Sequence, residues 1–444
     1  MTSHEAIVRS TGALLAAALM RATTALGHIV ITSAAPAPAI TVDHLRVEYK
    51  ENPLGLGTST PRFSWQLSGE GRGVAQSTYQ IRVARSASDL KAGRSLVWDS
   101  DSVASDDSVL LPYAGPPLQS RQRYFWHVRV RDHVGHESGW SEAAWWEMGL
   151  LDPSEWTAKW IEPDPDGDTS GPLPSPYFRR AFRLTRDVRS ARLYVTSHGL
   201  YQVHINGQRV GRDVLTPGWT SYRTRLQYQT YDVSDLLHAG ENAIGAIVGS
   251  GWYRGQIGFE SHRNHYGTRV GLLAQLEVMY SDGRREVVTS DAGWKWSAGP
   301  ILASEIYSGE IYDARREKPG WDRAAFADAD WPNVRVAEHS LGNLVATEAP
   351  PVRRIQEIRP IAIARSPSGS SIIDMGQNMV GWVRFIVEGP AGTTVTLRHG
   401  EVLDAKGDLY TENLRAAEQT VQYTLKGGDQ EEFEPHFTFK ASAT

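Results

Sequence analysis

A chain of 444 residues with 41% hydrophobic and 22% charged residues has ordinary globular composition, and its length suggests about three domains. A net charge of −5 and a pI near 6.3, with no Lys/Arg run and no zinc-finger spacing, leave no electrostatic footprint for nucleic acid. The absence of cysteine excludes disulfides, thiolate metal sites and a cysteine nucleophile.

Residues 1–40 read as a leader or a disordered arm. "TGALLAAALM" (11–20) is a short apolar run after Arg9, and "SAAPAPA" (33–39) offers small residues suited to cleavage, as in a signal peptide. Arg21 interrupts the run, and His4 and Glu5 do not suit a basic start, so a secreted and a cytoplasmic location both stay open. The run is too short to span a bilayer, and no other stretch is a candidate span.

From residue 41 the pattern changes to short alternating segments rich in aromatic and β-branched residues: "ITVDHLRVEY", "RFSWQL", "STYQIRVAR", "RYFWHVRVRD" and "AAWWEMG". Turn residues separate them, and strands at this spacing predict a β-sandwich over 41–150, similar to a fibronectin type III or immunoglobulin-like module. In "YFWHVRVRD" the core face is Tyr124, Trp126, Val128 and Val130. After the Pro/Gly-rich stretch 162–176, strands resume over 155–345 and predict a second, larger sandwich of jelly-roll type. "INGQ" (205–208) reads as an Asn-Gly hairpin and "YSDG" (280–283) as an Asp-Gly one. A third β unit begins near 350 with "SIIDMGQNMVGWVRFIV" and "TTVTLRHGEVL". Near the end, Glu434, His436, Thr438 and Lys440 alternate with Phe437 and Phe439, which predicts a last strand over 434–440. The fold class is therefore all-β, with tandem β-sandwiches. The chain has no phosphate-binding loop, no dinucleotide fingerprint, no HExxH and no GxSxG.

Three stretches in this order resemble the N-terminal half of bacterial α-L-rhamnosidases: "ENPLGLGTSTPRFSWQL" (51–67), residues 205–255 from "INGQRVGRDVLTPGWTSYRTR" to "GSGWYRG", and "IIDMGQNMVGWVRFIVEGPAGTTVTLRHGEVLDAKGDLYTENLR" (372–415). The resemblance runs from residue 41 to about 439. It implies a concanavalin-like fold for 350–444 and an activity, hydrolysis of terminal rhamnose from glycosides and polysaccharides. In that family catalysis resides in an (α/α)6 barrel after the β domains, with an acidic motif like "DCPxRxExxGWxGD". These residues contain no such motif, and relatives continue past "FEPHFTF" with something like "HGFRYVEV". The resemblance thus implies a third β domain cut within its last sheet and a missing C-terminal catalytic barrel as partner. The alternative is a stand-alone rhamnose-binding protein.

Inverting glycosidases, as the resembling family is, need two carboxyl groups roughly 6.5–9.5 Å apart. Asp213, Glu260, Glu310, Asp313, Asp374, Glu401 and Glu412 are the carboxylates to weigh here, and each reads better as a structural or surface acid. His399 and Glu401, on one face of a predicted strand, read as a structural pair. No catalytic residue is therefore expected in this chain. Sugar binding is the remaining chemistry, since sugar rings stack on Trp and Tyr. The candidates are Trp252, Tyr253 and Arg254 in "GSGWYRGQIGF" (249–259), Asp213 and Trp219 in "DVLTPGWTSYRTR" (213–225), and Asn264 in "SHRNHYG" (261–267). The bland readings are a sandwich corner with Trp252 buried, a core plug at Trp219 and a solvated loop at Asn264. The resemblance implies that the second domain holds rhamnose in some members, with help from calcium. Asp374, Gln377 and Asn378 would fix packing against the barrel. A surface left bare by the missing barrel would favour aggregation.

Overall fold

A computed structural model describes residues 40–442, except 70–71, 165–166 and 259–261. The leader and Glu260 lie outside the described residues.

The first sandwich packs two sheets. One has the order Ile40–Val47, Arg62–Gly69, Leu111–Pro112. The other runs Leu54–Leu56, Ala144–Met148, Arg123–Asp132, Gln76–Ala84, Leu96–Asp99. Tyr124, Trp126, Val128 and Val130 turn inward as the alternation predicted, and meet Phe63, Trp65 and Trp146 between the sheets. Ser86 caps a short helix, Ala87–Ala92, by accepting from the Asp89 N–H at 3.1 Å, and Gly93 ends it in the left-handed region.

The second sandwich is larger. Its five-stranded sheet has the order Gln208–Arg209, Leu200–Ile205, Gly240–Gly249, Pro176–Leu184, Lys295–Ala298. Its seven-stranded sheet is centred on Gly271–Tyr280 and Val188–His198. The central strand Gly271–Tyr280 is buried on both faces along almost its whole length, and Phe178, Leu193, Ile244, Leu276 and Trp294 fill the space between sheets. The Asn-Gly hairpin is present: Ile205 faces Gln208, and Asn206 and Gly207 both have positive φ, as a type I′ turn requires.

A four-stranded sheet follows, ordered Ile301–Glu305, Gly309–Asp313, Thr420–Thr424, Thr394–Arg398. Gly309–Asp313 pairs parallel with Thr420–Thr424, so one sheet crosses the boundary that the sequence suggests near 345–350. The rest of this region consists of two-stranded ladders: Ala362–Arg365 with Ser371–Asp374, Met379–Gly381 with Lys440–Ser442, and Phe385–Val387 with Glu431–Phe433.

Two local expectations are corrected. Residues 434–439 form no strand: the ladder residues Glu431–Phe433 and Lys440–Ser442 flank them. Pro435 has no N–H, and the next two N–H groups, of His436 and Phe437, donate to the buried Glu310 carboxylate at 2.9 and 3.2 Å instead of to a neighbouring strand. His399 and Glu401 lie beyond the strand that ends at Arg398. His399 contacts the Gln419 carbonyl at 3.1 Å, while Glu401 accepts from Asn378 Nδ2 at 2.8 Å.

Candidate functional site

Two loops that the sequence marks as candidates meet at one end of the second sandwich. The first lies between Gln208–Arg209 and Leu226–Asp232; Gly218, at φ +95°, swings the chain so that Trp219 ends 51% exposed. The second holds a single helical turn, Gly251–Arg254. Gly251 has φ +50°, and a Cβ there would come within 2.5 Å of Leu200 Cγ, so only glycine fits the entry to the turn.

The turn places Trp252 under Trp219. The two indoles are parallel, with centroids 5.7 Å apart and planes 6° off. Trp219 Nε1 donates to the Tyr266 hydroxyl at 3.0 Å, which fixes the exposed ring. Phe439 lies beside Trp252, with centroids 6.4 Å apart. The result is an exposed indole face on a buried aromatic base, an arrangement able to stack against an apolar ring face.

Tyr253 and Arg254 point the other way. Tyr253 lies on His198 (4.6 Å, 6°), which in turn lies on Trp160 (4.0 Å, 11°). Burial raises the Tyr253 hydroxyl to about 12 and lowers the His198 imidazole to about 3, so both are neutral at pH 7. Arg254 is buried; its Nη2 donates to Ser250 Oγ at 3.1 Å and to the Leu173 carbonyl at 3.4 Å, and burial lowers its pKa to about 10. Asn264 donates its N–H to the Arg254 carbonyl at 2.9 Å and its Nδ2 to the Thr169 carbonyl at 2.9 Å, while its Oδ1 is buried without a partner. Asp213 makes its contacts elsewhere: it accepts from Arg353 Nε at 2.9 Å and from the Tyr231 hydroxyl at 3.4 Å. The structure thus brings Trp219 and Trp252 together at a surface, sets Tyr253, Arg254 and Asn264 behind them, and leaves Asp213 in a separate ion pair. Sequence reasoning missed Tyr266 and Phe439; the only sign of the first was an aromatic in the polar loop "SHRNHYG".

The carboxylates are tied down. Glu310 is fully buried and accepts from His436 Nδ1 at 2.9 Å as well as from the two backbone groups. Asp313 accepts from Arg315 Nε at 2.8 Å, Asp374 from the Gly376 N–H at 2.7 Å, and Glu412 from the Tyr410 hydroxyl at 3.5 Å. Wherever the pKa of a described carboxyl is displaced, it is displaced downward. Burial pushes Glu162 upward, but hydrogen bonds from His339 and Arg335 outweigh it.

A calcium ion takes six to eight oxygen ligands, commonly carboxylates. Among the described residues no three His, Asp or Glu side chains converge to hold a metal. Among the described residues no helix is long and apolar enough to cross a membrane.

Comparison with known proteins gives matches along the whole described chain. Residues 42–152 match the Rha78A-like N-terminal immunoglobulin domain, 186–356 the α-L-rhamnosidase N-terminal domain, and 364–442 the bacterial α-L-rhamnosidase concanavalin-like domain. An α-L-rhamnosidase of Formosa agariphila is 37% identical over 409 residues, covering 89% of this chain and 44% of that protein. One from Streptomyces avermitilis is 35% identical over 569 residues, covering 90% of this chain and 55% of that protein. Ninety per cent of 444 is about 400 residues, so roughly 170 residues of the Streptomyces protein's matched span, a domain's worth, have no counterpart here. The crystal structure of that Streptomyces enzyme with L-rhamnose superposes with a TM-score of 0.84, over 91% of this chain and 55% of that one. The α-L-rhamnosidase of Aspergillus terreus gives 0.85 at 40% identity, over 91% and 46%. The chain spans about half the length of the curated relatives it matches.

Proposed function

The chain belongs to the bacterial α-L-rhamnosidase family, of which it carries the N-terminal β domains, and from that premise we propose that it serves the removal of terminal α-L-rhamnose from glycosides and polysaccharides as a sugar-holding, non-catalytic part. Its three domains span 41–150, 155–345 and 350–444. Bond cleavage falls to an (α/α)6 barrel, the partner that the family resemblance implies. The observation that carries the sugar-holding role is the half-exposed Trp219 ring seated parallel on Trp252. A deoxyhexose presents an apolar C–H face to such an indole, and Tyr266 stands at its edge with a hydroxyl.

Calorimetry with L-rhamnose tests the first part. Heat at millimolar sugar is expected, Trp219→Ala weakens binding about tenfold, a loss of 1.4 kcal/mol, and chelation of calcium leaves it unchanged. No heat with the intact chain overturns sugar holding. Release of nitrophenol from a nitrophenyl rhamnoside, abolished by one carboxylate substitution, overturns the non-catalytic part. The stand-alone rhamnose-binding protein is favoured by the same indole pair, because that face is built wholly from this chain. A downstream reading frame encoding a barrel separates the two in favour of the enzyme part.

A further inference from the structure

A second polar hollow, remote in composition from the Trp219 face, lies between the hairpin strands Leu200–Ile205 and Gln208–Arg209 and the segment that follows Phe433. It is a cleft of about 170 Å³ whose walls include Gln202, Arg209, Arg354, Trp382, Glu434 and His436.

Each wall is held from behind. Glu434 Oε1 accepts from Trp382 Nε1 at 2.5 Å and pairs with Arg354, and no described residue hydrogen-bonds to Oε2. His436 Nδ1 is engaged by the fully buried Glu310 at 2.9 Å, with the His436 N–H on the same carboxylate. A carboxylate can only accept, so Nδ1 carries a proton, and Nε2 is the ring nitrogen without a described partner. On the opposite wall Arg209 Nη2 donates to the Asp213 carbonyl at 2.7 Å. With its amide turned to satisfy both groups, Gln202 accepts from Arg209 Nε at 2.9 Å and keeps its NH2 for donation. The cleft therefore presents a carboxylate oxygen, an imidazole nitrogen and an amide donor at fixed positions beside an indole. Groups that donate and accept at once, such as ring hydroxyls, match that set. Arg354 pairs with Glu434, while Arg209 adds a positive charge whose Nε and Nη2 already serve Gln202 and the Asp213 carbonyl; an anion would also meet the Glu434 oxygen that accepts no hydrogen bond from a described residue.

We propose that this cleft is a second saccharide subsite, taking one neutral sugar ring with its hydroxyls on Glu434, His436 and Gln202 and its C–H face beside Trp382. It is made of side chains from both the second and third β units, and it does not depend on the Trp219 reading.

The test is a titration of the full chain, ¹⁵N-labelled, in which the indole N–H signals of Trp382 and Trp219 are assigned from Trp382→Phe and Trp219→Phe. The probes are L-rhamnose, D-glucose and D-galacturonate, each to about 50 mM, which captures millimolar dissociation constants. A saturable shift of the Trp382 signal with a neutral sugar is expected, persisting in Trp219→Ala. Glu434→Gln and Gln202→Ala each weaken it about tenfold or more; Gln202→Ala leaves the Glu310 anchor intact and so guards against a folding defect. No Trp382 shift with either neutral sugar, or tighter binding of galacturonate than of both, overturns the subsite. A shift at Trp382 without one at Trp219 instead removes the sugar-holding role of the indole pair.

Discussion

The second sandwich and the ladders of residues 353–442 are built from the same alternating, β-branched sequence, yet they solve burial differently. In the second sandwich the sheets have five and seven strands, and Phe178, Leu193, Ile244, Leu272 and Leu276 are at or near zero exposure. In the later region Ile355, outside any ladder, is 96% exposed, and the two-stranded ladders leave Ile363 71% and Val380 71% exposed. Between the ladders runs a cleft of about 1080 Å³, lined by Ile363, Ile373, Met379, Trp382, Phe385 and Leu397 among others. Strand propensity alone does not exclude water: an isolated two-stranded ladder is marginal, and burial comes from a second layer.

The sharpest way to break this comparison is to remove one aromatic ring from each region. Phe178→Ala takes a fully buried ring from between two sheets and is expected to cost about 3–5 kcal/mol in a denaturant titration. Phe385→Ala removes a partly buried ring packed on Tyr423 and Phe433, and less than half of that is expected. Equal losses would mean that the ladders share the rigid core of the sandwiches.

The fold was legible where one rule decides it. Alternation in "YFWHVRVRD" assigned both faces, and Asn206-Gly207 assigned a turn, because each depends only on neighbours in sequence. It was not legible where a distant group takes over. Residues 434–440 alternate as a strand should, but Glu310, more than a hundred positions earlier, takes the N–H groups of His436 and Phe437. The site was half legible for the same reason. "GWTSY" and "GSGWYRG" marked aromatic loops, while the burial of Tyr253 and Arg254 is set by Leu200, Ser250 and His198 packed against the turn, from parts of the sequence that the motif does not show.

Glu310 thus offers the next test. Glu310→Gln keeps the shape but replaces a charged acceptor of three hydrogen bonds, two of them from the backbone, and is expected to cost about 2–3 kcal/mol. Amide exchange at His436 and Phe437 rises with it, while exchange across Gly240–Gly249 stays slow. Uniform acceleration in both regions would show that the terminal segment and the sandwich open as one unit.

A further effect comes from pH. Lys440 is buried and donates from Nζ to the Ile306 and Tyr307 carbonyls at 3.0 and 3.2 Å. Burial lowers its pKa to about 7 from the usual 10.5, against the upward pull of Glu310, Glu418 and Glu305. Between those two values the unfolded chain binds more protons than the folded one, so the contribution of Lys440 to stability is complete above the unfolded value and is lost as pH falls toward 7. Raising the pH from about 7 to about 9.5 is expected to stabilise the chain by at most about 3 kcal/mol more than it stabilises Lys440→Met. Parallel pH profiles for the two proteins would exclude this assignment.

The smallest change in stability belongs to the exposed ladders. Ile363 pairs across from Ile373 and yet keeps most of its side chain in water, so Ile363→Ser removes little buried surface and is expected to move the unfolding free energy by less than about 0.5 kcal/mol. Its effect is on association instead. A patch that includes Ile355, Ile361, Ile363 and Val380 favours contact between copies, so light scattering of Ile363→Ser on warming is expected to begin at a higher temperature than that of the unchanged chain. A loss above 1 kcal/mol with unchanged scattering would place Ile363 in a packed layer and make the two regions alike.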